Sequence, residues 1–175
     1  PKQKRESIFK DIISNTTLIN NIASEAELGS PKSGGIPQTK IFRDKNKLLR
    51  LKGKKNWATI STGLDHLIVY AYNNESRRLC RVLVNKHNEK IQINKQWNGL
   101  GMRSTESHEI IFNNVPIKKS DILYEHGQSK RHTKLPFNAW FPLIIGATSL
   151  GIAIEARDQL IKYLNSRQPT GYKKP

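Results

Sequence analysis

The sequence predicts an α+β chain: an antiparallel β-barrel or sandwich in the middle, flanked by helical segments, the last one long and belonging to a helical bundle. Three observations carry that reading. Helical periodicity is confined to the two ends of the chain. Between them, over residues 38–123, short apolar runs alternate with turn-forming stretches, the pattern of an all-β domain. A long uncharged run then leads into an amphipathic helical pattern.

Residues 5–18 read as a helix, with Ile8, Ile12 and Ile13 on one side and Glu6, Lys10 and Asp11 on the other. Residues 18–24 turn strand-like. A loop rich in Gly, Ser and Pro follows, "SEAELGSPKSGGIP". The strand runs are "TKIFR", "LLRLKG", "WATIST", "HLIVYAY", "LCRVLVN", "KIQINKQW" and "HEIIFNNVPI", separated by "DKNK", "YNNES" and "KHNEK". "HLIVYAY" and "LCRVLVN" form the clearest hairpin, joined through Asn73 and Asn74. Residues 124–134, "YEHGQSKRHTK", are polar and basic and read as a linker.

From Trp140 to about Arg167 the pattern is one long helix, with Pro142 expected in its first turn, where a missing amide hydrogen costs nothing. Gly146, Ala147, Gly151 and Ala153 are small enough to admit a neighbouring helix. Residues 135–154 hold no charge and match a membrane span in length. Pro136, Asn138 and Pro142 and the amphipathic continuation favour a buried core helix instead. The chain opens on "PKQKRESIFK", without Met or a secretory signal, which reads as a piece of a longer chain.

The formal net charge is +16 and the pI about 10.1. Such a balance fits polyanion partners, and a non-enzymatic nucleic-acid-binding module is one reading. The basic residues are scattered, however, and build no basic arm. The single cysteine, Cys80, excludes an internal disulfide and fits a reducing, cytoplasmic setting. The histidines lack metal-ligand spacing, so no metal is expected. There is no phosphate-loop lysine motif, no G-x-G-x-x-G and no G-x-S-x-G elbow.

Hydroxyls and backbone amides remain. In "SEAELGS", Gly29 permits close backbone approach, and Ser24 and Ser30 add hydroxyl donors. In "LKGKKNWATIS", Lys52, Lys54 and Lys55 read as a solvated turn ahead of a strand. Period-two alternation then puts Trp57, Thr59 and Ser61 on one side. In "LGMRSTESHEIIF", Arg103 is available to an anion. Each stretch alone also fits an ordinary turn, a core Trp or a surface Arg.

Taken in order, "ASEAELGS", "GKKNWATIS", "GLDHLIVYAY" and "LGMRSTESHEIIFNNVPI" resemble the acyl-CoA dehydrogenase family. Its central domain carries a T-E-x-G-x-G-S-like loop, then G-x-K-x-W-I-T/S, then G-M-R-x-T-x-S before a strand ending near V-P. The resemblance covers residues 18–167. It implies an FAD-dependent oxidoreductase. Residues 1–18 would end a helical N-terminal domain, 19–123 would be the central flavin-binding domain, 124–134 a linker, and 135–175 the start of a helical C-terminal domain.

The resemblance also implies roles. Ser24 would bond the pyrimidine edge of the flavin, with Asn21 and Ala23 on the same strand. Gly29 and Ser30 would lie at the FAD phosphates, Ser30 also at the neck of the substrate channel. Trp57 would pack on the isoalloxazine and Thr59 reach its N5/O4 edge, with Ala58 between them. Arg103 would face the substrate. Arg167 would reach the FAD pyrophosphate of a neighbouring subunit, implying a homodimer or homotetramer. An acyl-CoA-like substrate and an electron-transfer flavoprotein partner follow for a dehydrogenase. FMN and a flavin reductase follow for the monooxygenase offshoot, which "LGIAIEARDQ" and "SRQP" also resemble. The chain departs from the family at Ala26, Glu27, Leu28 and Pro31, and "NAWFPL" holds no carboxylate, so no catalytic residue is assigned.

Overall fold

A computed structural model describes residues 2–28, 35–126 and 137–171. The chain divides into two compact units, Pro1–Lys130 and Arg131–Pro175.

The first unit begins with helix α1 (Lys2–Asn15) and continues into an eight-stranded sheet. Its strands are β1 (Ile19–Ile22), β2 (Lys40–Arg43), β3 (Leu49–Ala58), β4 (His66–Asn73), β5 (Arg78–Asn85), β6 (Ile91–Asn94), β7 (His108–Pro116) and β8 (Ile122–Glu125). The order is β6-β7-β3-β2-β4-β5-β8, with β1 paired to β4. The expected antiparallel pattern holds for most pairs, but β1 and β2 both run parallel to β4. They share one edge of β4 in succession: β1 takes His66–Val69 and β2 takes Tyr72 and Asn73. The long connection between β1 and β2 makes this possible, because a parallel neighbour cannot be reached through a tight turn.

The hairpin β4–β5 is the most regular part. Every position from His66↔Asn85 to Asn73↔Arg78 is paired without a bulge. Leu67, Val69, Ala71, Cys80, Val82 and Val84 enter one core with Ile22, Ile41, Leu51, Ile110, Phe112 and Val115. Burial pushes the Cys80 thiol up to about 12, with the Glu125 carboxylate adding to the effect.

Several boundaries differ from expectation. Helix α1 stops at Asn15 because Thr16 takes a left-handed conformation (φ 53°). "LLRLKG" and "WATIST" are not two strands: β3 runs unbroken from Leu49 to Ala58 against β7 and then ends in a turn. Tyr124 and Glu125, read as linker, belong to β8 and pair with Arg81 and Cys80. Their backbone finds partners on the open edge of β5, which a polar composition does not reveal.

The second unit is helix α2 (Phe137–Ser166). It starts earlier than expected, so Pro142 stands in the second turn and removes one intrahelical bond. Leu143, Ile144, Ile145, Leu150, Ile152 and Leu164 are exposed rather than buried. No described helix is long and apolar enough to cross a membrane.

Candidate functional site

Three segments converge at the C-terminal end of β3: residues 20–26, 56–61 and 102–107. Asn20 Nδ2 donates to the Thr59 carbonyl at 3.1 Å. The Asn56 amide donates to the Ser24 carbonyl at 3.0 Å, and Asn56 Oδ1 accepts from the Ala26 amide at 3.0 Å. The Ile60 amide donates to Thr105 at 2.7 Å, and the Ser61 amide to Glu106 at 3.3 Å.

The backbone here is strained. Trp57 (φ 57°), Ile60 (φ 56°), Met102 (φ 54°) and Glu106 (φ 43°) all adopt left-handed conformations without being glycine. For the β-branched Ile60 this is a true outlier. Such strain persists only where the surroundings over-determine it, and it clusters at functional sites. Here the register of β3 against β7 shifts between Lys55 and Ala58, and Trp57 sits in that irregularity. The bulge turns the indole outward, leaving Trp57 56% exposed.

The irregularity overturns the expected alternation. Thr59 is exposed, but Ser61 is fully buried and donates to the Glu106 carbonyl at 2.7 Å. Strand periodicity ends at Ala58, so residues 57, 59 and 61 do not share a face. Ala58 is itself buried in the core, and only its backbone could meet a ligand.

The lysines also divide. Lys52 and Lys54 are exposed, but Lys55 is fully buried on β3 rather than solvated in a turn. Its Nζ donates to Glu25 Oε1 at 2.7 Å and to the Ala23 carbonyl at 3.0 Å. Glu25 also accepts from the Gln38 amide at 2.7 Å and the Thr39 amide at 3.1 Å. Burial raises the Glu25 carboxyl, but the hydrogen bonds from Lys55, Thr39 and Gln38 and the Lys55 charge outweigh it and hold the carboxyl below its ordinary value. Burial lowers the Lys55 ammonium, and Glu25 partly offsets this. The pair clamps residues 23–25 onto β3. Gly53 makes room for it: a Cβ there, at φ 149°, would lie 2.5 Å from Thr39 Cα.

A chain of hydroxyls runs behind Thr59. Thr59 Oγ1 is 3.3 Å from Ser107 Oγ, which is 2.9 Å from Thr105 Oγ1, and Thr105 donates to the Met102 carbonyl at 2.8 Å. Spacing gave no signal for Glu25, Lys55 or Asn56, because each acts on a residue distant in sequence; Thr105 and Ser107 stood in "GMRSTES" but were given no role. A carboxylate in "SEAELGS" and a lysine between apolar strand positions were the available hints.

The other expected site residues are scattered. Asn21 is exposed on β1 and Ser24 half-buried on the loop after it, while Ala23 contributes its carbonyl to Lys55. Gly29 and Ser30 lie outside the described residues. Arg103 is exposed, and its Nε donates to the Gly99 carbonyl at 3.0 Å. Arg167 belongs to the second unit, its guanidinium 5.6 Å from the Tyr163 ring centre. Among the described residues no cluster of His, Cys, Asp and Glu could hold a metal. A cleft of about 480 Å³ opens beside the clamp, lined in part by Ala26, Lys40, Lys52, Lys54 and Asn56. It stops short of Trp57 and Thr59, which stand on open surface; the strained, hydroxyl-backed surface carries more specific chemistry than the cleft.

Comparison with known proteins bears on this arrangement. The family model described as "Acyl-CoA dehydrogenase, middle domain" matches residues 22–115. The chain is 31% identical over 163 residues to YdbM of Bacillus subtilis (strain 168), a protein assigned as an acyl-CoA dehydrogenase, covering 93% of this chain and 42% of that one. A Mycobacterium smegmatis glutaryl-CoA dehydrogenase in complex with FADH2 has a similar fold, with a TM-score of 0.61 at 20% identity over 71% of this chain and 32% of the other. So does TdsC from Paenibacillus sp. A11-2 with FMN and indole, with a TM-score of 0.59 at 21% identity over 70% and 30%. The chain spans about two fifths of the length of the curated relatives it matches. The segments that meet at the strained surface fall largely within the matched range: the chain belongs to the acyl-CoA dehydrogenase family, and residues 22–115 match its middle domain.

Proposed function

We propose that the protein is an FAD-dependent oxidoreductase that removes hydrogen from the α and β carbons of an acyl-CoA-like substrate. The observation that carries this reading is the outward-turned Trp57 beside Thr59 and the clamped Ser24 loop, on backbone too strained to be incidental. A flavin needs a flat apolar contact and hydrogen-bonding groups along its polar edge, and these residues supply both. Trp57 would orient the ring, Thr59 would meet its N5/O4 edge, and Ser24 would bond its pyrimidine edge. Among the described residues Ser24 Oγ has no hydrogen-bond partner. Bound flavin would supply the two-electron chemistry.

The clamp and the bulge hold these groups in place before ligand arrives, which is how a protein contributes orientation and electrostatics. Gly29 and Ser30 would extend the site to the phosphates, Arg103 would face the substrate's anionic part, and Arg167 would serve a neighbouring subunit of a homo-oligomer. An electron-transfer flavoprotein is the partner expected of this activity. A second reading, a reduced-flavin monooxygenase using FMN or FAD and a flavin reductase, rests on "NAWFPL" lacking a carboxylate and on the fold shared with TdsC.

The absorbance spectrum of the full-length protein with FAD tests both. Anaerobic bleaching by an acyl-CoA supports the dehydrogenase. Bleaching only with an external reductase supports the monooxygenase. Absence of bound flavin contradicts both.

A further inference from the structure

We infer that the Asn56 side chain positions Ser24 for the flavin by anchoring the Ala26 amide, a restraint that the turn over residues 25–28 does not supply by itself. The inference deepens the functional reading above and rests on it, since it takes the Ser24 hydroxyl to meet the pyrimidine edge of the flavin.

Two neighbouring residues of β3 hold the loop after β1, and each holds a different part of it. Lys55 takes the groups that flank Ser24, the Ala23 carbonyl at 3.0 Å and the Glu25 carboxylate at 2.7 Å. Its grip on Glu25 is at the end of a side chain, which leaves the following peptide free to turn. Asn56 takes the backbone instead. Its amide donates to the Ser24 carbonyl at 3.0 Å, and its Oδ1 accepts from the Ala26 amide at 3.0 Å. Two bonds from one residue, one on each side of Glu25, fix the peptides where a single bond would leave a pivot. Asn56 also stands directly before Trp57, so the residue that sets Ser24 adjoins the residue that meets the ring.

The turn itself shows why the second bond matters. The Leu28 amide donates to the Glu25 carbonyl at 3.3 Å, which makes Ala26 the first central residue of a turn. The turn does not use the amide at that position, and alanine does not restrict φ there. Proline would fix φ and carry no amide hydrogen. Ala26 does neither, and Asn56 supplies the restraint from 30 residues away. Asn56 touches no flavin in this account; it is a positioning residue that acts through Ser24. Reduced flavin gathers negative charge along its pyrimidine edge, so a hydroxyl donor held there stabilises the reduced form.

The flavin reduction potential of the full-length holoprotein, measured with its melting temperature, tests the inference. Asn56→Ala removes the side-chain acceptor and keeps the backbone bond to Ser24; Asn56 is only half-buried, so the fold is expected to survive. The variant is expected to lower the potential, weakening the preference for reduced flavin by roughly two- to tenfold, the worth of one hydrogen bond. Ser24→Ala is expected to shift it in the same direction. Combining the two should add little, because both act through one hydroxyl. Adding Ala26→Pro to Asn56→Ala should bring the potential back toward wild type. A wild-type potential in flavin-bound Asn56→Ala overturns the inference, even if its melting temperature falls, since that marks a structural role alone. So does full additivity with Ser24→Ala, or a shift that Ala26→Pro leaves unrepaired. In each of these cases the bound flavin leaves the functional reading intact. A wild-type protein that takes up no flavin overturns both.

Discussion

The β4–β5 hairpin and the C-terminal end of β3 are built from the same kind of sequence and behave in opposite ways. The hairpin pairs at every position and buries Leu67, Val69, Val82 and Val84 in the core. The end of β3 slips register against β7, strains Trp57 and Ile60 and turns an indole outward. Both regions hold apolar and β-branched residues. The difference lies in what satisfies the backbone: neighbouring strands in the hairpin, and side chains and loops from distant sequence at the end of β3. A sheet is strongest where its pairing is self-sufficient, and a site can be carved only where that pairing is given up.

Substitutions that separate the regions sharpen this contrast. The largest effect is expected at the clamp. Lys55→Met leaves the Glu25 carboxylate buried without its cation, at a cost of about 3–5 kcal/mol in denaturant unfolding. Lys55→Met with Glu25→Gln removes both charges and should recover most of that stability.

The pH dependence carries the same signature. Glu25 is held below its ordinary 4.5, so its stabilisation is fully present above that value and is lost as pH falls through the folded pKa. Lys55 acts on the alkaline side: its ammonium is lowered from 10.5, so stability rises as pH climbs from its folded pKa toward 10.5. Glu25→Gln should flatten the acid limb of a stability–pH profile.

In the hairpin core, Leu67→Ala should cost about 2–5 kcal/mol through lost burial and a cavity. Flavin affinity under native conditions should be little changed, since Leu67 is linked to the strained end by backbone pairing with Asn20, which the substitution keeps. A large loss of affinity in the folded Leu67→Ala protein would break the division between the two regions.

The smallest effect is expected at Ile60. Asn tolerates its left-handed backbone far better than a β-branched residue, so Ile60→Asn should raise stability by about 1 kcal/mol in thermal unfolding. A loss of stability would mean that the half-exposed Ile60 side chain contributes more than the strain costs.

The same contrast explains how much the sequence discloses. The hairpin was legible because its side-chain period is its structure. So was the family, since "SEAELGS", "GKKNWATIS" and "LGMRSTES" carry their order in one dimension. The geometry of the candidate site was not. Alternation through residues 57–61 predicted a shared face for Trp57, Thr59 and Ser61, and the bulge sent Ser61 inward. The solvated reading of Lys55 failed because its carboxylate partner is thirty residues away by chain and 2.7 Å away in space. The parallel placement of β1 and β2 on β4, and the pairing of β8, likewise depend on long connections that no local pattern encodes.

The central claim is that the strained end of β3 is the flavin surface. Its most direct test is the dissociation constant for FAD of the Trp57→Ala/Thr59→Ala double variant of the full-length protein, measured with its melting temperature. The account predicts a melting temperature close to wild type, because both side chains are exposed, and FAD binding weakened by roughly tenfold or more, the combined worth of an aromatic contact and a hydrogen bond. Unchanged FAD binding in a folded double variant would contradict it.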